Sequence, residues 1–247
     1  MKRHLLLTTI AACALASSSC KNSPAEALSR EVSIVTEDKV TLKGTYYPAT
    51  KPGPGILLLH MCADGTDRHV WDSLAEKLVT ESFHVLTFDY RGYGQSEGTW
   101  PDFKGMEQFM AVCRTVIKKD VEAAYQFLRT QAGVWQDSIG VAGASCGIFL
   151  GVEASHLHRE IRALALLSGP LDEQARQYVE AAGSVPILCA ASQDDVRAFE
   201  AMKLVFAASK HPNSAFLQYK GDAHGTYLFA KEPDLERTLV EWFKRWL

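Results

Sequence analysis

After an opening pair of alternating segments, this chain keeps repeating one unit: a short apolar run, a loop, then a stretch with apolar residues at helical spacing. Glu31 to Thr36 and Val40 to Tyr46 alternate in polarity and flank Glu37-Asp38-Lys39, which predicts a hairpin. Ile56-Leu57-Leu58-Leu59-His60 reads as a strand covered on both faces. Strands are then expected at Phe83 to Phe88, Ser138 to Ala142, Ile161 to Leu167, Pro186 to Ala191 and Ala215 to Tyr219. Between and after them, helices are expected at Val70 to Thr80, about Val116 to Gln131, after Ser145, Asp172 to Ala182, Val196 to Ser209 and Pro233 to Leu247. Alternation of this kind restricts the chain to an α/β fold with a largely parallel sheet and helices on both faces. Gln95 to Phe109, the longest irregular stretch, is expected to border the site.

Chemistry concentrates at the loops after these strands. Gly143-Ala144-Ser145-Cys146-Gly147 places a G-x-S-x-G pattern between an apolar run and a helix-compatible one. A serine on a tight strand-to-helix turn lifts its hydroxyl above the sheet edge, and the helix N-terminal N–H groups converge on the same spot. A hydroxyl is a weak nucleophile and needs a base, which needs a carboxylate to orient it. In an open α/β sheet both must come from the C-terminal ends of strands. His224, in Gly221-Asp222-Ala223-His224-Gly225, follows the strand ending at Tyr219, while Asp194 and Asp195 follow the strand ending at Ala191. The order serine, acid, histidine is that of a nucleophile-elbow site.

Taken with Leu58-Leu59-His60-Met61-Cys62, Phe88-Asp89-Tyr90-Arg91-Gly92-Tyr93-Gly94-Gln95-Ser96, Pro186-Ile187-Leu188 and Ala223-His224-Gly225, the chain resembles the α/β-hydrolases, specifically their compact dienelactone-hydrolase-like and serine-esterase branch. The resemblance runs from about Val32 to the C-terminus. It implies an α/β-hydrolase fold: a mostly parallel sheet of about eight strands, helices on both faces, and a minimal cap between Leu167 and Pro186. It implies Ser145 as nucleophile, His224 as base, and Asp194 as orienting acid, because Ala191-Ser192-Gln193-Asp194 follows the family's G-x-x-D pattern with alanine for glycine. Asp195 is the alternative. The backbone N–H groups of Cys62 and Cys146 would form the oxyanion hole, with Met61 in place of the usual glycine and expected to alter the pocket wall. Dienelactone hydrolases proper use a cysteine nucleophile; here the residue is Ser145, and Cys146 could serve only with the turn re-aimed. The activity implied is cleavage of a small-molecule carboxylic ester or lactone through an acyl-serine, with no cofactor and no metal. Thioester, amide or peptide cleavage on the same residues, or a non-catalytic binding role, are the alternatives.

Several motifs read as structural. Asp89 and Arg91 are expected to satisfy backbone groups and each other, and His60 to fix a loop. His156 and His158 are two apart on a helix, so they do not share a face as metal ligands would. Leu239, Trp242, Phe243 and Trp246 fit an amphipathic C-terminal helix, and Trp100, Phe103, Met106 and Phe109 lean toward the pocket rim.

Residues 1–20 have the layout of an export signal: Lys2 and Arg3, an apolar run from Leu5 to Ala16, then small residues up to Cys20. Cleavage at Ala14-Leu15-Ala16 or lipidation at Cys20 would leave the protein periplasmic or membrane-anchored, with residues 21–29 as a tether and 30–247 as one domain. That anchor is the only membrane contact expected. The net charge of −3, with both signs interspersed, gives no basic patch for nucleic acid. In an exported chain Cys62, Cys113, Cys146 and Cys189 could pair, and a Cys62–Cys146 contact across the site is one option; burial of the cysteines as small apolar residues is the other.

Overall fold

Leu57 and Leu59 pack against one layer of helices, and Ile56 and Leu58 against the other, so every residue of their strand is buried. That two-sided burial is the reason the run is continuous rather than alternating. The computed structural model describes residues 29–247; the expected export signal, Cys20 and all of the tether but Ser29 lie outside them.

The hairpin forms as β1 (Arg30–Val35) and β2 (Thr41–Tyr47), paired antiparallel. Then follow β3 (Gly53–Leu59), α1 (Asp72–Thr80), β4 (His84–Phe88), α2 (Gly105–Val112) and α3 (Lys118–Arg129). The second half comprises β5 (Val134–Ala144), α4 (Cys146–Leu157), β6 (Ile161–Leu167), α5 (Glu173–Ala181) and β7 (Ile187–Ser192). It continues with α6 (Val196–Ala208), β8 (Ala215–Tyr219), α7 (Leu228–Lys231) and α8 (Leu235–Trp246). The eight strands form one sheet in the order β1-β2-β4-β3-β5-β6-β7-β8, parallel except where β2 meets β1 and β4. Helices α2 to α6 cover one face, and α1, α7 and α8 the other.

The order matters for function. From β3 the chain steps to β4 on one side and later to β5 on the other, so β3 and β5 are neighbours at a topological switch point. At such a point the connections leave in opposite directions and open a crevice beyond the strand C-termini. The loops carrying Cys62 and Ser145 both emerge there.

Two features of the connections bear on that crevice. The stretch expected to be irregular up to Phe109 turns helical at Gly105, and a π-helical turn at Cys113–Ile117 joins α2 to α3. Between β6 and β7 the chain forms the single helix α5, the minimal cap expected. At the C-terminus Leu239 and Phe243 of α8 are fully buried, and the Trp242 indole donates to the Leu164 carbonyl (3.0 Å), fastening α8 to the sheet.

Candidate active site

Ser145 sits between the last residue of β5 and the first of α4, with φ 52° and ψ −114°. A non-glycine residue at positive φ is strained, and the conformation persists only where its surroundings enforce it. The flanking glycines do so. A Cβ on Gly143 would strike the Gly147 carbonyl, and one on Gly147 would strike the Leu59 carbonyl of β3. Glycine at both positions therefore lets the helix turn back tightly over the strands, leaving the serine at the apex.

His224 reaches Ser145 from the turn after β8. Its Nε2 is 2.9 Å from Ser145 Oγ, and its Nδ1 is 2.5 Å from Asp195 Oδ2. With the Nδ1 proton donated to the carboxylate, Nε2 is left as the acceptor facing the serine hydroxyl. The carboxylate at the histidine is thus that of Asp195, not of Asp194 as the sequence pattern suggests. Asp194 is exposed, and its N–H donates to the Gly221 carbonyl (2.9 Å), which ties the loop after β7 to the loop carrying His224. That backbone bond fixes the loop at Asp194, and the next residue, at the head of α6, carries the carboxylate that meets His224.

Cys62, in the turn after β3, and Cys146, the first residue of α4, lie with Cα atoms 5.7 Å apart and are joined by a disulfide. Neither residue's N–H has a hydrogen-bond partner among the described residues. Unpaired donors at adjacent strand ends beside a serine are what a developing oxyanion requires. Met61 does not shape the pocket wall as expected: it is 1% exposed and packs in the core beneath Gly225, the neighbour of His224. A cavity of about 430 Å³ opens on the site, lined by Met106, Pro170, Asp195, Arg197, Ala198 and His224. Of the aromatic-rich segment, Met106 reaches this cavity and Phe103 is exposed, whereas Phe109 is buried and Trp100 packs on Tyr90 and Tyr93.

The residues read as structural hold the loops. His60 is fully buried and packs at a tilt against Tyr90; its Nδ1 lies 2.7 Å from the Met61 carbonyl, and burial pushes its pKa down to about 4. Asp89 and Arg91 do not pair with each other. Asp89 accepts from the Arg68 N–H (2.7 Å) and guanidinium (2.5 Å), while Arg91 binds Asp120 (2.6 Å) and Asp38 (2.9 Å). Hydrogen bonds from Arg91 hold the Asp38 carboxyl below the usual carboxylate range. His156 and His158 are separately employed, one stacked on Tyr178 and the other on Tyr125 with its Nε2 2.7 Å from Glu122.

A strained serine at a parallel-sheet switch point, backed by a histidine and a carboxylate from later strands, defines the nucleophile-elbow class of α/β proteins. The chain belongs to the α/β-hydrolase fold family, whose sequence model matches residues 54–184. It is 33% identical over 139 residues to the uncharacterised protein Rv2307c of Mycobacterium tuberculosis; the match takes in 56% of this chain and 45% of that protein. The chain thus spans about half the length of the curated relatives it matches. Its fold is similar to the Pyrococcus furiosus esterase Pf2001 (TM-score 0.71, 20% identity, covering 89% of this chain and 93% of that one). It is likewise similar to a dienelactone hydrolase from Anabaena variabilis (TM-score 0.65, 17% identity, 89% and 98%).

Proposed function

We propose that this protein is an exported serine hydrolase that cleaves a carboxylic ester or lactone through an acyl-Ser145 intermediate. The observation that carries the reading is the unbroken hydrogen-bond chain from Asp195 through His224 to Ser145 on a strained elbow. In the first half-reaction His224 takes the Ser145 proton as Oγ attacks the carbonyl carbon. Asp195 keeps the imidazole in the tautomer that can accept this proton and stabilises the imidazolium formed. The Cys62 and Cys146 N–H groups receive the oxyanion, and His224 then protonates the leaving alkoxide. Water, activated by the same histidine, releases the acid in the second half-reaction. No cofactor is needed at any step. The single short helix of the cap, α5, is consistent with an open site and a small substrate. The disulfide supports export, since such bonds persist in oxidising compartments.

The test is a panel of short-chain p-nitrophenyl esters and lactones, with Ser145→Ala as control. Turnover lost in Ser145→Ala but present in the parent is expected. A variant that hydrolyses esters as fast as the parent overturns the reading.

A further inference from the structure

The two N–H groups suited to an oxyanion belong to the two halves of one disulfide, and the register of the sheet explains why that bond has mechanical consequence. Leu59 of β3 is paired with Gly143 of β5, and beyond that pair the ladder stops. Each chain then runs on by the same distance, from 59 to 62 and from 143 to 146, to a cysteine. The elbow side is held rigidly by the packed glycines and α4. On the other side His60 is held by Tyr90, but from Met61 onward the turn's hydrogen bonds run within itself: the Thr66 hydroxyl lies 2.8 Å from the Met61 carbonyl and 2.7 Å from the Ala63 carbonyl, and the Thr66 N–H donates to Ala63 (3.1 Å). Asp64 and Gly65 at its tip are exposed, and Gly65 has φ +74°. The Cys62 backbone makes no hydrogen bond to the elbow. Beyond the core packing of the preceding Met61, what ties it there is the sulfur bridge.

We propose that the Cys62–Cys146 disulfide positions the oxyanion hole, fixing the Cys62 N–H relative to the Cys146 N–H, so that reducing the bond lowers transition-state stabilisation and makes the activity redox-dependent. The proposal rests on the serine-hydrolase reading. It makes Cys62 and Cys146 side chains positioning residues, acting through their own backbones. The sulfurs are unequally accessible, with Cys62 half-buried and Cys146 buried, so an incoming thiolate attacks Cys62 Sγ. The S–S bond breaks, a mixed disulfide forms on Cys62, and Cys146 leaves as a thiolate that takes a proton from water. The reductant's second thiolate then displaces Cys62, which is protonated likewise, and the reductant departs as a cyclic disulfide. Two electrons pass to the protein. Cys113 and Cys189 stay out of this exchange: both are fully buried, and burial pushes the Cys113 thiol up to about 12 and the Cys189 thiol higher still, leaving no thiolate to react.

The experiment uses the full chain, oxidised and after treatment with dithiothreitol, at a temperature where circular dichroism shows both forms folded. Thiol titration follows the bond. Activity is read with a p-nitrophenyl ester, and affinity with a boronic acid that mimics the tetrahedral intermediate and with the product carboxylic acid. We expect kcat/KM and boronate affinity to fall together by about tenfold or more on reduction, as for a weakened oxyanion donor. Product affinity should be unchanged, and reoxidation should restore all values. The Cys62→Ala/Cys146→Ala double variant should match the reduced protein and ignore the reductant. A reduced protein with two new thiols and at least half its activity overturns the proposal and leaves the hydrolase reading intact. So does a loss of activity that tracks loss of circular dichroism in both the reduced protein and the double variant. An oxidised protein inactive on every ester overturns the hydrolase reading first, and the proposal with it.

Discussion

Asp194 and Asp195 are adjacent acids on one loop, and the geometry assigns them opposite roles that substitution to asparagine separates. Asp195 Oδ2 is 2.5 Å from His224 Nδ1, with the carboxylate largely shielded from solvent. As the serine proton transfers, the imidazole becomes cationic. With the two charge centres about 4 Å apart and an effective dielectric of about 20, the attraction is roughly 4 kcal/mol. That is roughly a 10³-fold effect on rate. In Asp195→Asn the new side chain would also offer an NH₂ where an acceptor is needed and favour the wrong tautomer, which brings the expected loss in kcat to roughly 10⁴-fold. Asp194 acts through its backbone N–H, which asparagine retains, and its exposed side chain has no hydrogen-bond partner among the described residues. Asp194→Asn should therefore leave kcat within about twofold, as surface changes usually do. Steady-state hydrolysis of a p-nitrophenyl ester by the two variants is the assay, with melting curves to confirm folding. Loss of activity in Asp194→Asn to match that of Asp195→Asn would refute the assignment. So would an Asp195→Asn variant retaining a tenth of parental kcat.

Other consequences concern stability. Gly147→Ala drives a Cβ into the Leu59 carbonyl and should destabilise the protein by about 2 kcal/mol, read as a lower urea midpoint with an unchanged slope. Asp89→Ala leaves the 1%-exposed Arg68 guanidinium without its buried partner, and a loss of roughly 3 kcal/mol is expected from urea unfolding. His60 has a folded pKa of about 4, below its usual 6.5, so the unfolded chain binds the extra proton first. Stability should be level above pH 6.5 and fall on acidification until about pH 4. The drop attributable to His60 is on the order of 3 kcal/mol, and in His60→Asn the slope across this window should flatten.

The layers of the fold were legible because each strand from β3 onward is bracketed by a change of period, from continuous apolar runs to helical spacing. The elbow was legible because its glycines are demanded by backbone contact, which leaves a spacing in the sequence. What was missed has equally physical causes. Spacing cannot distinguish Asp194 from Asp195, since one residue of loop rotation exchanges which carboxylate faces His224. Met61 was misplaced because a residue after a strand can turn inward beneath Gly225 as readily as outward. The helix α2 was hidden by the Gly- and aromatic-rich composition before it, although Met106, Phe109, Met110, Cys113 and Ile117 already follow a helical period. Asp89 and Arg91 looked mutually satisfied because they are near in sequence, but their partners, Arg68 and Asp120, are distant and invisible to a local reading. The disulfide joins cysteines 84 residues apart; a Cys62–Cys146 contact was open to the sequence through their shared place at the site, but burial as small apolar residues was equally open, and the strand register is what brings the pair together.

The central claim is that Ser145 is an activated nucleophile. Treating the folded protein with a fluorophosphonate and locating the adduct by peptide mass spectrometry tests it most directly. The account predicts one adduct, on Ser145, absent from Ser145→Ala and formed far more slowly in His224→Ala. A folded protein that takes up no probe, or takes it up on another residue, contradicts it.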